Sequence, residues 1–210
     1  MIDKQLEKYI LEHLGAENSV LNDIYRHTNL KVLHPAMISG HEQGRILSMM
    51  SHMIKPRRIL EIGAFTGYSA ICLAAGLCDG GHMHTIEIDD ELAETASSFF
   101  KKAGLSNVIT LHIGNALEII PQIDEIFDLV FIDAAKNQYL DYYNAVFDKL
   151  KQGGFIVVDN ILWYGKVADP LIQDETTMMM RDFNAFIRDD ERVEKAIVKN
   201  RDGLFVLRKI

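Results

Sequence analysis

Four side chains stand out for the chemistry they can do together. Asp133 and Lys136 lie in Phe131-Ile132-Asp133-Ala134-Ala135-Lys136, and Asp159 and Asn160 follow Ile156-Val157-Val158. Each set ends an apolar run that reads as a buried strand. If the two strands are neighbours, their ends converge. Two carboxylates and an amide then form an all-oxygen donor set, which suits Mg2+ and also Ca2+ or Mn2+. Three protein ligands leave positions for water or substrate oxygens. Lys136 reaches the same pocket and can act as a general base. The plainer alternatives are a turn after a strand for Asp159-Asn160 and a solvated charge at a helix start for Lys136.

A second cluster surrounds Ile59-Leu60-Glu61-Ile62-Gly63-Ala64-Phe65-Thr66-Gly67-Tyr68-Ser69. It reads as a strand, a glycine-marked turn and a helix start. The spacing Glu-x-Gly-x-x-x-Gly differs from the Gly-x-Gly-x-x-Gly of dinucleotide sites. An acid before the first glycine repels phosphate and suits a cation such as the ammonium of an amino-acid ligand. Glu87, about 20 residues past Gly67, ends the next strand, where a carboxylate can accept both ribose hydroxyls. His82 and His84 share a strand face but lack a third ligand for zinc. Met49-Met50 and Met178-Met179-Met180 read as packing.

These residues need a scaffold that brings strand ends together. The chain alternates strand and helix from Arg57 onward. The rim ends of the strands are expected at Glu61 and the glycine loop, at Glu87, after Ile113, at Asp133 and at Asp159. Helices are expected over Tyr68 to Leu77, Asp90 to Ala103, Ala116 to Ile120, Asn137 to Leu150 and Asp174 to Arg188. Pro121 should stop the third of these helices, and Gly153-Gly154 the fourth. Val193 to Lys199 and Leu204 to Lys209 alternate like a hairpin around Asn200-Arg201-Asp202-Gly203. Helices over residues 3–14, 18–30 and 42–54 form a cap over residues 1–55. The expectation is an α/β fold: a doubly wound, mostly parallel seven-stranded sheet with a C-terminal antiparallel hairpin and an N-terminal helical cap. Residues 1–210 read as one domain. Ligands then bind beyond the carboxyl ends of the strands.

Composition narrows the partners. The formal net charge of −8 argues against a nucleic-acid backbone as a major electrostatic partner. The two cysteines, Cys72 and Cys78, lack metal spacing and fit a reducing compartment. Met1 to Leu14 is charged and amphipathic, so no signal peptide is expected. No run approaches the ~18 apolar residues of a membrane span. The expected location is the cytoplasm, with no membrane partner.

With these motifs assembled, the sequence resembles the cation-dependent class I O-methyltransferases that use S-adenosylmethionine, the family of catechol and caffeoyl-CoA O-methyltransferases. The matching pieces are Met37-Ile38-Ser39, the Ile59–Ser69 stretch, Phe131–Lys136 and Val158-Asp159-Asn160-Ile161-Leu162-Trp163-Tyr164-Gly165. The resemblance implies that Glu61, Gly63 and Ala64 hold the methionine end of the donor and Ser69 contacts its carboxylate. Glu87 would bind the ribose and Ala116 line the adenine. Met37 and Ser39 would close over the donor. Asp133 would serve donor, metal and catalysis, with Asp159 and Asn160 completing the Mg2+ site and Lys136 as base. Trp163 would wall the substrate pocket.

Plant CoA-ester enzymes carry an acid where this chain has Ala135, which makes a CoA-ester substrate less expected. The resemblance therefore implies a small, catechol-like hydroxylated aromatic substrate and a homodimer. A tRNA wobble hydroxyuridine is the alternative substrate. A non-catalytic nucleotide-binding module or an NAD dehydrogenase fits less well: the first has no use for a metal and a base, and the second needs other glycine spacing.

Overall fold

The computed structural model describes residues 4–210; Asp3, which opens the first expected helix, lies outside them. The chain begins with α1 (Lys4–His13), α2 (Ser19–Lys31) and α3 (Gly40–Ile54). Asn18 caps α2 by accepting the Val20 N–H at 2.8 Å. Strand β1 (Arg58–Ile62) leads through the glycine turn into α4 (Tyr68–Ala74). Next come β2 (His82–Glu87), α5 (Ala93–Lys102), β3 (Ile109–Ile113) and α6 (Ala116–Ile119). They are followed by β4 (Phe127–Ile132), α7 (Tyr139–Phe147), β5 (Leu150–Val158), α8 (Glu175–Asp189), β6 (Val193–Val198) and β7 (Leu204–Lys209).

The seven strands form one sheet in the order β3-β2-β1-β4-β5-β7-β6. The first five are parallel, and β7 runs antiparallel to both β5 and β6. The strand order reverses between β1 and β4, so a crevice opens at their carboxyl ends. Side chains alternate across the sheet. Leu60, Ile62, Val130, Ile132, Ile156 and Val158 pack on one face under α6, α7 and α8. Ile59, Leu129, Phe131 and Val157 pack on the other under α2 to α5. This is the doubly wound, mostly parallel sheet with a C-terminal antiparallel hairpin that the alternation predicts.

Several boundaries differ from expectation for identifiable reasons. Gly153-Gly154 does not end a helix. α7 closes at Phe147, and β5 already starts at Leu150, whose buried side chain pairs with Phe127. Gly153, at φ +77, takes up an irregularity in the β4–β5 register. The helix before Pro121 ends at Ile119 as expected, and a 3-10 turn over Ile120–Gln122 follows it. A proline at the start of such a turn lacks only an N–H that would have no partner. The expected loop after Asn160 contains 3-10 turns within Trp163–Ala168, broken at Tyr164 and Gly165.

His82, His84 and His112 hydrogen-bond across β2 and β3, and among the described residues no group of three or more His, Cys, Asp or Glu is placed to hold a metal ion. His84 Nδ1 and His112 Nε2 lie 2.9 Å apart, and His84 Nε2 is 3.2 Å from Glu125 Oε2. Arg58 Nε pairs with Glu125 at 2.9 Å, and His82 bonds Thr110 at 2.9 Å. Burial pushes His84 below its ordinary 6.5; Glu125 opposes this, and His112 and His82 reinforce it. Burial, then His82, lowers His112. As pH falls through 6.5 the unfolded chain therefore takes up protons that the folded one refuses. Stability present above that pH is lost below it. Melting temperature should fall more steeply between pH 7 and pH 5 in the wild type than in a His84→Gln/His112→Gln variant. Equal slopes would show that these histidines are not the cause.

Candidate active site

The carboxyl ends of the strands open into a cavity of roughly 1290 Å3. Its floor begins at Gly63, whose N–H donates to Ile86 O at 2.9 Å, as does that of Ala64 at 3.1 Å. Gly63 has φ +100, and a Cβ there would stand 2.0 Å from the Asp133 carbonyl oxygen. Only glycine lets β1 and β4 close this tightly. Gly67, at φ +88, is similarly confined against the Phe100 ring. Gly63→Ala should destabilise the protein by several kcal/mol, on the order of 3–5, and abolish donor binding. Thermal melting and calorimetric titration of S-adenosylmethionine check both effects.

Glu87 organises this turn. Its Oε2 accepts the Phe65 N–H at 2.6 Å, and its Oε1 accepts those of Ile88 and Asp89 at 2.9 and 3.1 Å. The sequence suggested a ribose ligand; in the structure Glu87 holds the glycine loop from the neighbouring strand. From α2, the Thr28 hydroxyl meets that of Thr66 at 2.9 Å and ties the cap to the same loop.

Glu61 is the one predicted site residue that does not line the cavity. It lies fully buried behind the turn, where Thr85 donates to its Oε2 at 2.5 Å. Burial pushes its carboxyl up to about 7; Ser69 and Thr85 hydroxyls oppose the shift, and Asp133 and Glu87 add to it. Its Oε1 makes no hydrogen bond. A buried carboxyl with an orphaned oxygen fits a donor-side cation nearby, as the amino-acid end of S-adenosylmethionine would supply.

Met37, Ser39, Gly63, Ala64, Ser69, Glu87, Ala116, Asp133, Lys136, Asp159, Asn160 and Trp163 all line the cavity. Asp133 and Asp159 extend the β4–β5 register. Ile132 pairs with Val158, the Asp133 N–H donates to Ile62 O at 2.9 Å, and that of Asp159 to Ile132 O at 3.0 Å. They stand side by side on neighbouring strands, whose spacing is about 4.8 Å. Both point to the face covered by the cap, as alternation dictates. Lys136 Nζ lies 2.9 Å from Asp133 Oδ1 and 5.0 Å from the centre of the Tyr139 ring.

Asp159 is buried, and burial followed by the Asp133 charge raises its carboxyl well above the usual range. Its Oδ1 accepts the Asn160 N–H at 2.6 Å and its Oδ2 the Gln43 amide at 2.6 Å. Asn160 sits at φ +61, a left-handed conformation that asparagine tolerates. Gln43 gave no sign in the sequence of its place here. It lies 116 residues from Asp159 in the chain, on a helix that reads only as packing.

A glycine loop behind an acid, an acid closing the second strand and carboxylates at the ends of the fourth and fifth meet at one cavity. The chain belongs to the O-methyltransferase family, whose family model matches residues 11–210. It is a S-adenosylmethionine-dependent enzyme of that class. Among its relatives, a catechol O-methyltransferase of Niastella koreensis is 31% identical, covering 97% of this chain and 96% of its own. A caffeoyl-CoA O-methyltransferase of Petunia hybrida is 34% identical over 84% of this chain and 79% of its own. The solved O-methyltransferase TomG of Streptomyces achromogenes, involved in tomaymycin synthesis and in complex with SAM, superposes with a TM-score of 0.90. It is 29% identical and covers 100% of this chain and 99% of its own.

Proposed function

We propose that the protein transfers the methyl group of S-adenosylmethionine to a hydroxyl of a small catechol-like aromatic, with a divalent cation held by Asp133, Asp159 and Asn160. The observation that carries this reading is the meeting of Asp133, Lys136 and Asp159 in the cavity that the glycine loop floors. Two adjacent carboxylates, with one lysine paired to Asp133, leave negative charge uncompensated, and that donor set fits Mg2+, with Ca2+ or Mn2+ as substitutes. When bound, the cation supplies positive charge that favours the ionised form of a hydroxyl.

The chain's own residues do the rest. Glu87 and Ser69 orient the donor, with Met37 and Ser39 over it and Ala116 at its base. With one ammonium proton first released to solvent, Lys136 Nζ accepts the hydroxyl proton, and the ionised oxygen bonds the methyl carbon in line as the C–S bond breaks and its electron pair stays on sulfur. Most of the acceleration comes from alignment, since the methyl arrives already activated. Trp163 walls the acceptor.

Charge at the cavity supports a small acceptor over tRNA. Glu7, Glu42, Asp89, Glu91 and Asp202 line it beyond the residues placed at the donor and the cation, against Lys31 and Arg201. A polyanion would meet net repulsion there. No helix of the described residues is long and apolar enough to cross a membrane, and the reading places the enzyme in the cytoplasm. Leu6, Tyr9 and Leu11 leave apolar surface exposed on α1, which supports a homodimer; in this reading α1, α2 and α3 cap a single domain. Methyl transfer from labelled S-adenosylmethionine to a catechol panel, to caffeoyl-CoA and to undermodified tRNA, each with and without EDTA, tests the assignment. Methylation of tRNA with catechols inert would replace this substrate reading by its alternative.

A further inference from the structure

Gln43 lies in the first turn of α3 and is 1% exposed. While its Nε2 donates to Asp159, its Oε1 receives Arg201 Nη1 at 3.4 Å. Arg201 sits at the tip of the β6–β7 hairpin with φ +44, a conformation that glycine or asparagine adopts more readily. The same Nη1 donates to Ile38 O at 2.8 Å and to the Ser39 carbonyl, and Nη2 to Ala36 O at 3.3 Å. The adjoining Asp202 accepts the Tyr164 N–H at 2.6 Å through its side chain and that of Leu162 at 2.8 Å through its carbonyl. One hairpin tip thus holds the segment at the cavity mouth and the loop that follows Asn160. With Arg201 on its oxygen, the Gln43 amide must turn its NH2 toward Asp159.

We infer that Arg201 and Gln43 are positioning residues that link the seating of residues 36–39 over the donor to the orientation of the Asp159 carboxylate toward a divalent cation. This rests on the cation reading proposed above. A neutral amide suits the task because it orients Asp159 without cancelling its charge, as a lysine there would. Arg201 suits its own because the planar guanidinium fork spans several carbonyls at once, which an ammonium cannot reproduce.

The test uses the full-length protein, with Mn2+ titrated by electron paramagnetic resonance and S-adenosylmethionine by calorimetry. Amide hydrogen exchange over residues 36–39 is followed in the metal-free protein. Gln43→Met fills similar volume without donating. It should weaken Mn2+ binding about tenfold, the usual scale for an outer partner of a metal ligand, and leave donor affinity and melting temperature near wild type. Arg201→Lys should weaken Mn2+ binding, weaken the donor and speed exchange over residues 36–39. Wild-type Mn2+ affinity in both variants would overturn the link. So would parallel loss of every readout together with the melting temperature, which marks a merely structural role. A wild-type protein that binds no Mn2+ would remove the cation reading itself and the link with it, so the two failures are distinguishable.

Discussion

Asp133→Ala is expected to lower turnover at least ~10³-fold, the scale on which losing a charge-stabilising group at a reacting oxygen is felt. The side chain removed bridges two functions: it pairs with Lys136 at 2.9 Å and borders Asp159 on the next strand. The backbone should survive the change, because the Asp133 N–H still donates to Ile62 O. Donor binding should fall far less than turnover, by no more than about tenfold. Stability should hold or rise. The wild-type fold forces two carboxylates together and pushes Asp159 up, and deleting one relieves that repulsion. Steady-state kinetics, donor calorimetry and thermal melting separate these effects. Full turnover by the variant in EDTA would end the case for a metal at this rim.

Lys136→Met should lower turnover about 10²- to 10⁴-fold at neutral pH, the range attributable to a positioned base. The deficit should shrink as pH rises, because a phenolic hydroxyl then loses its proton to solvent unaided. Lys136→Arg is the sharper companion. A guanidinium keeps the ion pair with Asp133 but does not deprotonate in proteins. If Lys136 takes the proton, arginine rescues stability and not rate. If arginine restores the rate, or if the methionine variant shows the same deficit at every pH, Lys136 contributes only charge. A pH profile of turnover for the three proteins decides between these outcomes.

Much of the architecture was legible along the chain because it rests on local rules. The apolar runs Leu129–Ile132 and Ile156–Val158 could only be strands buried on both faces, and the residues that end them, Asp133 and Asp159, lie at the rim. Gly63 and Gly67 marked a turn that no side chain could make, and both adopt positive φ. Where local rules had two outcomes, the reading failed. Gly153-Gly154 can end a helix or bend a strand, and the buried pairing of Leu150 with Phe127 chose the strand.

Side-chain identity and spacing were enough to place Asp133 and Asp159 at the rim, since strand alternation carries each acid to a known face. Local pattern says nothing about partners brought in from elsewhere in the chain. Glu61 looked like a cavity residue and is buried behind the turn, because it lies inside β1, where Thr85 of β2 bonds it, and not at the strand's end as Asp133 and Asp159 do. Gln43 and Arg201 lie on a packing helix and a hairpin tip, and reach Asp159 and Ser39 across 116 and 162 residues. Only the folded packing of cap against hairpin sets those contacts, because a hydrogen bond depends on where two groups meet in space and leaves no period in sequence.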